Sequence, residues 1–257
     1  MPRSAVLIDI DGVLTVSWRP VDGAVEAFRR LRDSDLKLGL ITNTTSVTRA
    51  TLAARLTAVG FEVTQEEIIT APLLAADYIK EHHPNVGAVA VLNSGDIRDD
   101  LVGIDVVPLS ASPGLIILGG AGPEFTYESL NRVFSLVDKG AALVALHRNL
   151  YWQTDDGLQL DTGAYLGALE LATGREAPVV GKPSPEFFRA ALQRIGAVAS
   201  ETAMIGDDID NDILAAQAFG IRGVLVGTGK FKLPDRNKGP EVFVPSFANV
   251  PALFEIR

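Results

Sequence analysis

Residues 5–15 read Ala-Val-Leu-Ile-Asp-Ile-Asp-Gly-Val-Leu-Thr. The unbroken apolar run 5–8 predicts a strand buried on both faces. It ends in Asp9 and Asp11, which, two residues apart in an extended chain, share a face. Gly12 then gives the freedom to turn sharply. Two carboxylates this close repel each other unless a cation lies between them or one holds a proton. Taken alone, the stretch describes equally well a strand followed by an Asp-rich turn, so the decision passes to the rest of the chain.

Apolar pieces recur at 36–41, 68–69, 86–92, 115–118, 142–146, 202–205, 223–226 and 242–244. Helical patterns alternate with them. Ala24, Phe28 and Leu31 recur at three- and four-residue spacing, and Leu52, Leu56 and Val59 do the same before Gly60. Further helices are expected over 72–80, 126–139, 163–173, 185–195 and 213–219. This alternation predicts an α/β fold with a parallel sheet covered on both faces. Sheets of that kind bind ligands beyond the carboxyl ends of their strands. Polar clusters follow extended pieces at four places: Asp9/Asp11, Thr42/Asn43, Lys182, and Asp207/Asp208/Asp212. All four would share one rim.

Asp9, Asp11 and Asp207 offer hard oxygen ligands without imidazole or thiolate, a set that suits Mg²⁺. The chain contains no cysteine at all. Thr42 and Asn43 can donate to phosphoryl oxygens and Lys182 adds a fixed positive charge, which together form the clamp that phosphoryl transfer requires. One carboxylate suits attack on phosphorus and the other suits moving the leaving-group proton. A net charge of -9 argues against nucleic acid and anionic membranes as partners, and a 47% hydrophobic fraction provides for a packed core. No apolar run reaches the ~18–20 residues of a membrane helix, and residues 1–4 hold no cleavable apolar segment. A cytoplasmic protein acting on a small phosphorylated molecule is expected.

The stretch 9–15 resembles the DxDGxLx signature of the haloacid dehalogenase (HAD) superfamily of phosphatases. Ile41-Thr42-Asn43, Gly181-Lys182-Pro183 and Gly206-Asp207-Asp208 through Asp212 resemble that superfamily's second, third and fourth motifs, in order. The resemblance implies Asp9 as the nucleophile that becomes an aspartyl-phosphate and Asp11 as the general acid and base. It implies Thr42 and Asn43 as phosphoryl-binding residues, and Lys182 as the cation that neutralises nucleophile and phosphate. Mg²⁺ would be held by the Asp9 carboxylate, the Asp11 backbone carbonyl and Asp207, with Asp208 and Asp212 in a supporting shell.

Well over a hundred residues separate Asn43 from Lys182, too many for a structureless loop. They read as an inserted α/β cap of the C2 type. A Rossmann-like catalytic core at 1–70 and 179–257 and a cap at 71–178 are therefore expected. Residues 119–130, Gly-Gly-Ala-Gly-Pro-Glu-Phe-Thr-Tyr-Glu-Ser-Leu, resemble a stretch in the caps of the class IIA, NagD-like group, whose caps make a homodimer compatible with the resemblance. Many of those caps carry Thr-Asn-Pro-Asp where this chain has Leu-His-Arg-Asn-Leu-Tyr-Trp at 146–152. That wording is more similar to the phospholysine phosphohistidine inorganic pyrophosphate phosphatase branch. Asn149, Tyr151 and Trp152 are candidates to line the substrate mouth or to pack under a loop.

Three further features compete for attention. Residues 120–125 follow a strand and precede a helix as a dinucleotide loop would, but the third glycine is missing and Pro123 sits in the turn. His82 and His83 read as a solvated helix end, and 230–238 as a loop over the core site. Two other function classes fit the same motifs: a phosphotransferase, and a non-catalytic phosphate-binding module. The second would be expected to lack the nucleophile or the acid, and both are present.

Overall fold

The computed structural model describes residues 4–154 and 157–256, with the backbone alone at Trp152, Gln153 and Thr154. Its contacts divide the chain into two compact units. Met1–Thr42, Arg49–Ile69 and Lys182–Arg257 form the first, and Asn43–Thr48 with Thr70–Gly181 the second. Among the described residues no helix is long and apolar enough to cross a membrane.

The first unit opens with β1 (Ala5–Asp9), every residue of which is buried. A tight ribbon follows, β2 (Thr15–Val16) against β3 (Arg19–Pro20), where the sequence pattern predicts only a loop. Ser17 and Trp18 turn it with φ of 50° and 62°, the left-handed pair that a two-residue hairpin requires. Helix α1 (Ala24–Arg32) buries Ala24, Ala27, Phe28 and Leu31 on one face, as its spacing predicts. Strand β4 (Lys37–Thr42), helix α2 (Arg49–Ala58) and strand β5 (Ile68–Thr70) complete this part.

The second unit starts from α3 (Ala71–His82), capped by Thr70, whose Oγ1 accepts from Leu73 N at 3.4 Å. Then come β6 (Val89–Leu92), β7 (Val106–Val107), β8 (Leu115–Leu118), α4 (Tyr127–Asp138), β9 (Ala142–Ala145), the hairpin β10 (Tyr151–Thr154) and β11 (Gly157–Leu160), and α5 (Thr162–Thr173). The parallel sheet runs β7-β6-β8-β9. Alternation along β8 builds two cores. Ile116 and Leu118 pack with Val133 and Leu136 of α4 and Leu166 and Leu169 of α5. Leu115 and Ile117 pack with Ala71, Ala75 and Ile79 of α3. The segment Asn43–Thr48 is held here by Asn93, whose Nδ2 donates to Thr45 O at 2.9 Å while its Oδ1 accepts from Gly120 N at 2.7 Å.

Back in the first unit, α6 (Pro185–Ile195) starts from Ser184, whose Oγ accepts from Glu186 N. Strand β12 (Thr202–Gly206) leads into a wide π-type turn over Ile209–Leu214, then α7 (Ala215–Ala218), β13 (Arg222–Val226) and β14 (Val242–Val244). The helical geometry thus begins four residues before the predicted start at 213. Asp208 causes this: its Oδ1 accepts from the N–H groups of Asp210 and Asn211, which would otherwise be orphaned. The six strands order as β14-β13-β12-β1-β4-β5. Parallel pairs on both flanks leave β1 no open edge, and burial of all its residues fits a sheet covered on both faces. The chain has the predicted α/β architecture, a doubly wound parallel-sheet core with an inserted α/β cap.

Candidate active site

Strand register builds the site. Ile8 lies level with Ile205 of β12, and Asp9 level with Ile41 of β4. Asp207 and Thr42 each stand one residue past the level of Asp9, on the two strands that flank it. All three are buried, as are Lys182 and Asp212. The Lys182 Nζ sits 2.5 Å from Asp9 Oδ1 and 2.7 Å from Asp212 Oδ1. Asp212 reaches it from the π-type turn, passing so close to Gly206 that a Cβ there would lie 2.4 Å from the Asp212 Cβ. Carboxylate oxygens of Asp9, Asp207 and Asp212 lie within 4.8 Å of one another.

Three buried acids and one ammonium leave a local surplus of negative charge. Burial drives the Asp9 carboxyl well above its ordinary value; Lys182 opposes this, and Asp212 and Asp207 reinforce it. Burial followed by the Asp212 charge pushes Asp207 up to about 7, against the pull of the Lys230 amide. Burial works against the Lys182 charge, but Asp212 and Asp9 outweigh it and hold the ammonium protonated above the usual lysine range.

The remaining predicted residues separate by role. Asp11 is exposed, in bridge pairing with Thr15. Burial would raise Asp208, but hydrogen bonds from Asn211 and the Lys230 charge hold it below its ordinary value. Its carboxylate is engaged as a cap, accepting from Asn211 Nδ2 at 2.9 Å. Asn43 groups with the second unit. There, Tyr151 is 61% exposed, which excludes packing under a loop for that ring, and the Trp152 side chain lies outside the described residues. His82 stacks on Tyr78 at a helix end. The 120–125 loop is no dinucleotide cradle: Gly120 N is taken by Asn93 Oδ1, and Ala121 N by Asp161 Oδ1 at 3.2 Å.

Two family models match the chain, one described as haloacid dehalogenase-like hydrolase over residues 6–107 and one as HAD-hydrolase-like over 179–250. A phospholysine phosphohistidine inorganic pyrophosphate phosphatase of Xenopus laevis is 38% identical over 252 residues, covering 95% of this chain and 90% of its own length. The chain belongs to the haloacid dehalogenase superfamily. Solved structures agree on the fold and on the class IIA group. A p-nitrophenyl phosphatase from Archaeoglobus fulgidus superposes with a TM-score of 0.88 at 28% identity, covering 98% of this chain and all of that one. NagD from E. coli K-12 gives 0.86 at 29% identity, covering 96% and 98%. This chain is an HAD phosphatase.

Members of this superfamily use a divalent metal, and the donor set here fits one. Asp9, Asp207 and Asp212 supply buried hard oxygens, without imidazole or thiolate, and their mutual repulsion exceeds what Lys182 alone offsets. Sequence reasoning places Asp212 in a supporting shell; the structure sets its carboxylate in the buried trio and on Lys182. The loop expected over the core site, 230–238, reaches it at its first residue, Lys230, and the residues missed are Thr228 and Gly229 just before it. Thr228 Oγ1 donates to Gly12 O, and Lys230 N donates to Asp207 Oδ2. A signal was present: Thr228-Gly229-Lys230 follows the apolar strand β13 on the same rim as the four clusters.

Proposed function

We propose that this HAD phosphatase hydrolyses a small phosphorylated metabolite through an aspartyl-phosphate on Asp9, with Mg²⁺ as its cofactor. The observation that carries the reading is the Lys182 ammonium shared between Asp9 and Asp212 beside Asp207. A buried carboxylate stays ionised, and so nucleophilic, only through such contacts. Asp9 forms a bond to phosphorus as the bond from phosphorus to the leaving oxygen breaks. Asp11, exposed and two residues along, gives its proton to that oxygen. Asp11 then takes a proton from water as the water attacks the phosphoryl group, and the Asp9–phosphate bond breaks to restore the carboxylate. The Thr42 hydroxyl holds a phosphoryl oxygen throughout, while Lys182 offsets charge on both partners. Asp9, the Asp11 backbone carbonyl and Asp207 would hold Mg²⁺, with Asp208 and Asp212 in support. Bound there, the ion supplies positive charge to the phosphoryl oxygens and lessens their repulsion from Asp9.

The substrate class is drawn from the second unit and the relatives. The wording at 146–152 and the name of the Xenopus laevis relative both favour phosphorylated nitrogen or pyrophosphate over a nucleotide. The test is phosphate release from 4-nitrophenyl phosphate, phospholysine, phosphohistidine and pyrophosphate, with Mg²⁺ and with EDTA. Asp9→Asn should lower release at least about a thousandfold, in line with loss of a nucleophile, and EDTA should abolish it. Release that survives either treatment sinks the mechanism. Product that appears only with an added acceptor alcohol reassigns the chain as a phosphotransferase.

A further inference from the structure

The loop after β13 comes back across the loop after β1. Thr228 Oγ1 donates to Gly12 O at 2.5 Å, and Lys230 N donates to Asp207 Oδ2 at 2.6 Å. Between those two bonds the backbones nearly touch: a Cβ on Gly229 would lie 2.5 Å from Gly12 Cα. A Cβ on either glycine would also fall 2.0 Å from Asp207 Oδ2. Both residues have left-handed φ, 87° at Gly12 and 60° at Gly229, where a side chain is strained in any case. One oxygen of Asp207 is therefore seated between two Cα atoms from distant parts of the chain and beneath one amide.

We propose that the strap Thr228–Lys230 is the positioning element for Asp207 as a metal ligand, fixing the rotation of its carboxylate so that it faces a cation together with Asp9, with Asp212 in support. The inference rests on the metal reading given above. A carboxylate crowded by two others would otherwise turn away from them, and a single amide donor on one oxygen prevents that turn. The backbone does this, not the Lys230 side chain, which is 67% exposed and pairs with Asp208 at 3.4 Å. Groups that hold a metal ligand in place typically account for about 10–100-fold in metal affinity.

The test is calorimetric titration of Mg²⁺ into the full-length chain and three variants, with folding checked by circular dichroism. Gly229→Ala should weaken Mg²⁺ binding by about tenfold or more, and Thr228→Val by about threefold or more. Lys230→Met keeps the N–H and removes a nearby positive charge, so it should bind Mg²⁺ at least as tightly as the unsubstituted chain. A folded Gly229→Ala within twofold of the unsubstituted affinity overturns the proposal. So does Lys230→Met weakened as much as Gly229→Ala. If Gly229→Ala fails to fold, Thr228→Val decides, and an affinity within twofold overturns it. No Mg²⁺ binding by the unsubstituted chain overturns the metal reading and this proposal together, whereas the variant outcomes strike the strap alone.

Discussion

Gly206→Ala is a one-methyl change that should disable the site without touching any charged group. The added Cβ would stand 2.4 Å from the Asp212 Cβ and 2.6 Å from its Oδ2. Carbon atoms at rest sit about 3.5 Å apart or more, so Asp212 must retreat by about 1 Å. Its Oδ1 now holds Lys182 at 2.7 Å; a retreat of that size stretches the contact beyond hydrogen-bond length. Lys182 would then lean on Asp9 alone. A misplacement of about 1 Å in a catalytic array costs about 10²-fold, close to 2.7 kcal/mol of transition-state stabilisation. The methyl also overpacks a buried spot, at about 1–3 kcal/mol of stability. The assay is kcat/KM for phosphate release beside thermal unfolding of the same sample. Gly167→Ala is the control, since a Cβ there meets nothing within 4 Å. A folded Gly206→Ala that keeps more than a third of the unsubstituted kcat/KM refutes the claim that Asp212 and Lys182 act as one unit.

In the second unit, Asp161 caps α5 and its Oδ1 accepts from Thr162 N at 2.8 Å and Ala121 N at 3.2 Å. Asp161→Ala loses the cap and orphans a buried N–H, together about 2–4 kcal/mol in denaturant unfolding. Asp161→Asn keeps an acceptor and should cost about 1 kcal/mol or less; equal losses in the two variants would refute the hydrogen-bond account. Glu170 is held below its ordinary value first by its hydrogen bonds from Arg148, two contacts of 2.7 Å, and then by the Ala177 amide. A depressed carboxyl adds stability above its unfolded value and loses it as pH falls through the folded one. The gap in melting temperature between the unsubstituted chain and Glu170→Gln should therefore be full at pH 7 and shrink below about pH 4.5; a gap that widens toward acid reverses the sign. The homodimer compatible with the family resemblance would use the hairpin face on which Tyr151, Leu158 and Leu160 are 61, 66 and 60% exposed. Leu158→Lys with Leu160→Lys should convert dimer to monomer in sedimentation, and an unsubstituted chain already monomeric at tens of micromolar refutes it.

The parts of the site that could be read from the sequence are those that sit at strand ends. Asp9, Thr42 and Asp207 terminate apolar runs, and a parallel sheet has one carboxyl-end rim, so their meeting follows from the alternation of elements. Lys182 also follows an extended piece, but that piece bridges Ala145 of β9 at Val179, so its place beside Asp9 does not follow from the register of the first unit's strands. What stayed hidden acts through backbone. The strap's amide on Asp207 leaves no mark on side-chain chemistry, and the Asn93 clamp on Thr45 joins residues 48 apart through a carbonyl. The β2–β3 ribbon was missed because Ser17 and Trp18 occupy left-handed positions that usually fall to Gly or Asn. The π-type turn was missed because periodicity reports side chains, and Asp208 set its start by capping.

Strand β1 has a temporal consequence. It leaves the ribosome well ahead of its partner β12, which pairs with it from Ala5↔Thr202 onward. Synthesis at about 5–20 residues per second puts roughly 10–40 s between them. Through that interval one edge of a mostly apolar strand has no neighbour, a configuration inviting to another nascent chain. The second unit, encoded entirely within the gap, can fold while the first waits. A message truncated before Thr202 would therefore release a product in which β1 still lacks one partner, and catalytic competence would arrive only once Asp207 and Asp212 had been made.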